Sequence, residues 1–583
     1  MRAREAIALP GVLLLLLTTP ERARSQDVQV EEHILENGLR LLVLPRKGDP
    51  NIAAGWIARV GSVNERPGIT GLAHLFEHMM FKGTRVLGTR DIEKNLEVMR
   101  ELDRVKGEIA KEERELDRKR RLGEIPDPPR AEDRSARHAN LLGELEELGK
   151  KERELLVKDE FDKVYTSAGA TGMNAGTTND FTIYFVNIPS NKLELWFWME
   201  SDRLLNPVFR EFYSERDVVR EERRLRIEST PTGRFDEELD SAFWTASPYG
   251  WPVIGWPSDI ENVTREEALA FFDVHYAPNN LTACLVGDVE GSRALELAKK
   301  YLGRLKRGPR EPEPVRTREP KQLAERRMVI AAETKPQATI RWHTVPDGHA
   351  DEYPLALLAD SLSGRTGRLY KALVLEKGVA TDASAEQEGR KYEGYFEAQV
   401  VAGSGKKPED VEKLTHEIIE GLRKELVGER ELQKVKNQRA ASEYRALRSN
   451  FSLLFQLLVR DAGRGWKTIN TDPARFQAVT AEDVRRVART YLTPENRTVA
   501  LYYTKEPEPG KAPADPSLAS LSDEDRRQVE GLRRSLEKEK PEKLREVLEK
   551  LRSQAGSVPP QKKDLFTAME RTIESLIESK EAK

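Results

Sequence analysis

The chain has 583 residues and a mass of 66.3 kDa, too long for one ordinary domain and enough for about two to four. A third of its residues are charged, yet the net charge is only -3, so the balanced surface gives no electrostatic case for binding nucleic acid. The single cysteine, Cys284, excludes an internal disulfide framework and a cysteine metal cluster, and its place in the apolar run Leu281 to Val286 reads as a buried strand.

In chain order, Arg2 and Arg4, the apolar run Ala6 to Leu17 and the small-x-small triplet Ala23-Arg24-Ser25 read as an export signal over residues 1–25. The run is too short for an ordinary membrane span, so the expectation is export and no span after cleavage, with anchoring only if the signal is retained. The absence of disulfides fits a bacterial periplasm. Val28 to Val43 alternates around Asn37-Gly38, which predicts a hairpin, and Ile52 to Val60 predicts a further strand. Between Ile92 and Val157, Leu102, Val105, Ile109 and Leu116, then Leu141, Leu145, Leu148 and Leu155, form two heptad-like seams. Pro126-Asp127-Pro128-Pro129 separates them, so this segment reads as an inserted coiled-coil-like helical hairpin. A Pro/Arg/Glu-rich linker at 308–322 precedes a second α/β pattern. That pattern has strands at Met328 to Ala332, Ala338 to His343 and Glu393 to Ala402, and helices at Tyr353 to Leu362 and Val411 to Leu426. A flexible linker follows at 505–520, then a charged helical tail over 521–583 with Leu544, Val547, Leu548 and Leu551 on one side.

The chemistry concentrates at His74-Leu75-Phe76-Glu77-His78. Residues four apart stack on one face of a helix, so both imidazoles can reach one metal ion, and Glu77 points toward the same edge. Zinc accepts imidazole nitrogen, and a catalytic zinc needs a third protein ligand and an open position for water. A carboxylate beside that water can serve as general base. With 8 histidines in 583 residues, this pattern should arise by chance only about 0.01 times.

The order H-x-x-E-H is the inverted zincin motif. Gly71-Leu72-Ala73-His74-Leu75-Phe76-Glu77-His78-Met79 resembles the active-site helix of the pitrilysin/insulysin family of zinc metallopeptidases, which includes the mitochondrial processing peptidase. That resemblance continues in Glu215-Arg216-Asp217-Val218-Val219-Arg220-Glu221-Glu222, and implies Glu222 as third zinc ligand with Glu215 behind it as an orienting carboxylate. Glu221 lies about 100° around such a helix and ranks below Glu222. Thr171 to Tyr184 resembles the family's edge strand, in which Asn174 and Ala175 would line the cleft and peptide would add as an extra strand.

The resemblance implies an α+β fold of two homologous α/β-sandwich domains of the processing-peptidase/LuxS-like metallohydrolase type. These are an N-terminal catalytic domain at 26–307, interrupted by the hairpin at 92–157, and a non-catalytic one at 323–504. The hairpin is expected to be self-contained, because it returns the chain near its start. The implied activity is zinc-dependent endoproteolysis of peptides or unfolded segments, with one zinc per chain and Glu77 as base. The pattern departs from active relatives in the second domain. Val374 and Thr381 occupy the positions of an Arg and a Tyr that grip substrate, and neither supplies a charged or phenolic donor. A homologous partner subunit contributing that pair is therefore expected, as a heterodimer. The alternatives from other classes are a non-catalytic structural subunit, against which intact His74, Glu77, His78 and Glu222 count, and a coiled-coil adaptor in which the hairpin and tail bind partners.

Overall fold

The computed structural model describes residues 27–505, 523–536, 539–553 and 562–581. The export signal and the linker Pro507 to Pro516 lie outside the described residues. The chain forms two compact units, one ending at Thr504 and one comprising the tail.

The first unit holds two sheets of matching design. The first contains β1 (Glu31–Ile34), β2 (Arg40–Pro45), β3 (Asn51–Ala58), β4 (Thr171–Thr177), β5 (Thr182–Pro189) and β6 (Leu281–Gly287), in the order β1-β2-β6-β3-β5-β4. The second contains β7 (Arg326–Ala332), β8 (Gln337–Thr344), β9 (Ala380–Gly389), β10 (Gly394–Ala402) and β11 (Arg497–Thr504), in the order β7-β11-β8-β10-β9. In each sheet the first and last of the five shared strands in chain order, β2 with β6 and β7 with β11, pair in parallel. The other pairs run antiparallel. The halves therefore share a topology, and the first adds β1 at one edge. β6 is buried along its whole length, which accounts for its unbroken apolar run.

Helices of the first half are α1 (Leu72–Met79), α2 (Ile92–Arg121), α3 (Ala136–Leu155), α4 (Glu160–Ser167), α5 (Leu193–Leu205), α6 (Phe212–Arg223) and α7 (Gly233–Phe243). One face of the first sheet, with Val43, Ala54, Trp56, Tyr184 and Leu285, packs against α1 and α5 through Phe76, Trp196 and Phe197. The other face, with Leu42, Ala53, Ile57, Cys284 and Val286, is covered by Leu453, Leu454, Leu457 and Leu458. Those four leucines belong to the helix Asn450–Gly463, which lies beyond the second sheet's β10 in sequence. The exchange is reciprocal. Phe235 and Leu239 of α7 pack on Met328, Ile330, Ala500 and Tyr502 of the second sheet. Each fully buried aliphatic side chain contributes about 1.5–3 kcal/mol, so each half depends on a helix lent by the other.

Buried polar contacts fix both exchanges. The enclosed Asp461 carboxylate accepts from Arg40 at 2.7 Å, Arg59 at 2.6 Å and Thr282 Oγ1 at 2.7 Å. On the other side, Tyr502 donates to Asp236 at 2.7 Å and Arg341 pairs with both Asp240 and Glu397.

The inserted segment forms an antiparallel helical pair, with Leu102, Val105, Ile109, Leu141 and Leu148 buried along its seam. Its ends meet where Arg90 donates to the Leu155 carbonyl and Val157 to that of Gly88. The part nearest the sheet is not self-contained, contrary to the reading from sequence. Tyr213 of α6 donates to Asp103 at 2.7 Å, the Glu211 amide to Glu152 at 3.0 Å, and Arg210 to Asn95 at 3.0 Å. Beyond Ile109 the pair projects with almost no buried side chains.

The tail unit consists of the helices Asp523–Leu536, Pro541–Ser553 and Lys563–Glu581, joined by Leu536, Leu544, Leu548, Ile573 and Leu576. Among the described residues, no helix is long and apolar enough to cross a membrane.

Candidate metal centre

α1 presents the H-x-x-E-H residues, and its entry is tightly built. Gly71 has a φ of 86°, and a Cβ there would lie 2.5 Å from the Ile254 carbonyl oxygen, so only glycine fits. The buried Glu65 carboxylate accepts from the amides of Gly71 at 2.9 Å and Ala73 at 2.7 Å, satisfying donors that open every helix. Burial raises its pKa well above the usual carboxylate range, while those amides pull it back down. Phe76, on the opposite side, is held among Phe209, Phe272 and Tyr276. The face with His74 and His78 is thus fixed from beneath.

α6 supplies the other half of the centre. Its N-cap residue, Glu211, is held at φ 58°. Glu215 and Glu222, two turns apart, share the face turned to α1, and a five-residue π-helical turn from Arg224 to Glu228 follows. His74 Nε2 is 3.8 Å from Glu222 Oε2, and His78 Nε2 is 3.4 Å from the same oxygen. His78 Nδ1 donates to Glu215 Oε1 at 2.9 Å, and Glu215 Oε2 accepts from Lys82 at 2.6 Å. Arg226 holds the other Glu222 oxygen at 2.7 Å. Glu221 instead faces solvent and pairs with Arg224. Glu77 Oε2 accepts from Thr177 Oγ1 of β4 at 2.7 Å.

The electrostatics follow from this packing. Burial, assisted by the His78 and Arg226 charges, pushes the His74 pKa down to about 3, so its imidazole is neutral. Burial alone would lower His78 too, but the hydrogen bond to Glu215 and the surrounding carboxylates outweigh it and the net shift is upward. For Glu215, bonds to His78 and Lys82 outweigh burial, so it remains a carboxylate. Burial raises Glu77, against the pull of Thr177. A general base with a raised pKa is better matched to neutral pH.

This donor set fits zinc. The candidate ligand atoms of His74, His78 and Glu222 all lie within 4.8 Å of one another. Tetrahedral zinc with bonds of about 2 Å places ligand atoms about 3.3 Å apart, close to the two His–Glu222 separations. In the neutral tautomer, with Nδ1–H of His78 bonded to Glu215, the Nε2 lone pair faces the Glu222 carboxylate, and a cation placed between these two acceptors satisfies both.

Asn174 and Ala175 lie on β4, the free edge of the first sheet, and the Asn174 side chain accepts from the Ala175 amide at 2.9 Å. Val374 falls in a π-helical turn, Tyr370–Glu376, packed on the second half's core, and Thr381 lies on the edge strand β9. The sequence reading passed over Glu65, Lys82, Thr177 and Arg226. Each acts through a partner distant in sequence or at a helix end, which composition does not reveal.

Residues 42–100 match the model of the insulinase family, peptidase family M16, and residues 262–439 match the model described as the peptidase M16 inactive domain. Both halves of the chain are thus similar to models of the M16 peptidase family. The zinc protease PqqE of Helicobacter pylori is 27% identical over 503 residues, covering 84% of this chain and 96% of that protein. The uncharacterized zinc protease YmxG of Bacillus subtilis is 20% identical over 478 residues, covering 81% and 98%. Among solved structures, a protease from Helicobacter pylori aligns with a TM-score of 0.66 and 23% identity, over 82% of this chain and 99% of that one. The periplasmic protease PqqL from Escherichia coli aligns with a TM-score of 0.60 and 17% identity, over 84% of this chain but 49% of that one. The two-domain M16 architecture, with mixed helices and sheets, is therefore the fold of this chain.

Proposed function

We propose that this chain is a zinc-dependent endopeptidase that cleaves peptides or unfolded segments. The observation that carries this reading is the convergence of both imidazole Nε2 atoms on Glu222 Oε2, at 3.8 and 3.4 Å, with Glu77 alongside. His74, His78 and Glu222 would hold one zinc, and Glu215 fixes the His78 tautomer. Bound zinc supplies Lewis acidity toward a water molecule and the scissile carbonyl. Glu77 takes the proton of the attacking water and passes it to the leaving amine nitrogen. The exposed edge β4 binds peptide main chain through backbone groups, with little side-chain selectivity.

With Val374 and Thr381 in place of the Arg and Tyr, a homologous partner subunit would complete the substrate grip. Alignment with about half of a periplasmic protease chain is consistent with such pairing. The name of one structural neighbour, a periplasmic protease, and the basic and apolar N-terminal residues support export to a periplasm.

Metal analysis and peptide turnover test the proposal. Purified protein should carry one zinc, lost in His74→Ala, His78→Ala and Glu222→Gln. Glu77→Gln should keep zinc but lose cleavage by about 10²–10⁴-fold, as expected for removal of a general base. Turnover should rise when a partner bearing the Arg/Tyr pair is added. Unchanged zinc in all three ligand variants, or near-normal turnover by Glu77→Gln, would overturn the assignment.

A further inference from the structure

The edge strand does more than present a backbone row. At the β4–β5 turn the Thr178 amide donates to the Phe181 carbonyl at 2.9 Å, which makes this a hydrogen-bonded pair. In an antiparallel ladder such pairs alternate with non-bonded ones, whose N–H and C=O groups point away from the partner strand. With Thr177 opposite Thr182, Gly176 opposite Ile183 and Ala175 opposite Tyr184, the outward-pointing residues are Ala175 and Thr177. The outward Ala175 amide donates to the Asn174 side chain at 2.9 Å, a bond that an incoming peptide carbonyl would replace. Thr177 is the point where the strand meets α1, because its hydroxyl donates to Glu77 Oε2 at 2.7 Å. Thr177 Oγ1 also lies 3.4 Å from Thr182 Oγ1, whose proton goes to the Val60 carbonyl at 2.9 Å, so the Thr177 proton is left for Glu77.

We infer that Thr177 is a positioning residue for the base: it holds one oxygen of Glu77 and leaves the other free to take a proton, and it does so from the strand that receives the peptide. This rests on the endopeptidase reading above. The free edge open to peptide pairing then ends at Ala175, one outward position before the residue that aims the base. Peptide register and base orientation are set by one strand. Neither a metal ligand nor the fold requires a hydroxyl at this position, since valine has the same shape and favours strands equally.

The test compares Thr177→Val with Thr177→Ser in the zinc-loaded protein. Both should carry zinc as the wild type does. Thr177→Val should lower kcat by about 10- to 100-fold with KM nearly unchanged, the size expected for a reacting group displaced by about an ångström. Thr177→Ser should restore most of the turnover. Crystal structures of the three proteins give a second reading that needs no turnover. Glu77 should keep one orientation in the wild type and Thr177→Ser, and leave it in Thr177→Val. Unchanged kcat in Thr177→Val, a serine variant as impaired as valine, or an unmoved Glu77 would each overturn the inference. Absence of turnover in the wild type even with a partner bearing the Arg/Tyr pair would instead count against the endopeptidase reading, and the crystal structures would still decide the role of Thr177.

Discussion

Replacing Glu215 by glutamine isolates what stands behind the metal centre. Its side chain is only 8% exposed, accepts from His78 Nδ1 at 2.9 Å and from Lys82 at 2.6 Å, and touches no other group of the centre. Glutamine keeps the size but removes the charge. Two losses follow: Lys82 is left without its nearest counter-charge, and the His78 imidazole, now bonded to a neutral acceptor, becomes a weaker ligand at Nε2. Partners of this kind change metal affinity by about 10–100-fold, or about 1.4–2.7 kcal/mol, in line with a hydrogen bond to a charged group at about 1.5–3 kcal/mol. Competition for zinc against a chromophoric chelator at fixed pH measures it directly. Glu222→Gln should lose far more, and the exposed Glu221→Gln should stay within about twofold of wild type, because its pair with Arg224 is solvated. An affinity for Glu215→Gln equal to that of the wild type would refute the reasoning, since it would mean that His78 orientation does not depend on this carboxylate.

Three further outcomes are expected. Replacing the hairpin tip, Lys111 to Ala136, with a short Gly/Ser joint should preserve folding and zinc affinity. Deleting all of 92–157 should weaken both, because Asp103, Asn95 and Glu152 brace α6; circular dichroism and the chelator assay distinguish the two. Asp461→Ala should cost about 3–5 kcal/mol in urea unfolding, the usual effect of removing one partner from a buried charge cluster. His343, stacked on Phe243, has its pKa pushed down by burial to about 4 from the usual 6.5. Between these values the unfolded chain binds more protons, so this stabilisation is full above about pH 6.5 and is lost as the pH falls toward 4. His343→Phe should therefore show a shallower loss of melting temperature than the wild type on acidification over that window.

The local part of the centre was legible because a helix converts a four-residue spacing into a shared face, whatever surrounds it. Glu222 became legible only through resemblance. A Glu/Arg-rich helix looks the same whether its carboxylate meets solvent or two imidazoles, and the inserted hairpin separates the two helices further. The apolar stripes of α7 and of the helix Asn450–Gly463 can be read as buried faces from their spacing. Nothing in the stripe says which sheet it will cover, because leucine packs equally well on either. The brace between hairpin and α6 escaped for a related reason: Asp103 and Glu152 look like two more charges on solvated helices until Tyr213 and the Glu211 amide are placed opposite them.

The reciprocal exchange of helices constrains how the molecule can move. A hinge running between the two sheets would have to strip Leu453 to Leu458 from the first sheet and Phe235 and Leu239 from the second at the same time. It would also pull Asp461 away from two arginines. The halves are therefore one rigid plate, and admitting or enclosing a peptide cannot come from opening that plate like a book. On the proposal that a partner subunit completes the site, access to β4 is governed from outside, by how that subunit approaches and withdraws. Substrate entry then depends on its concentration and dissociation rate.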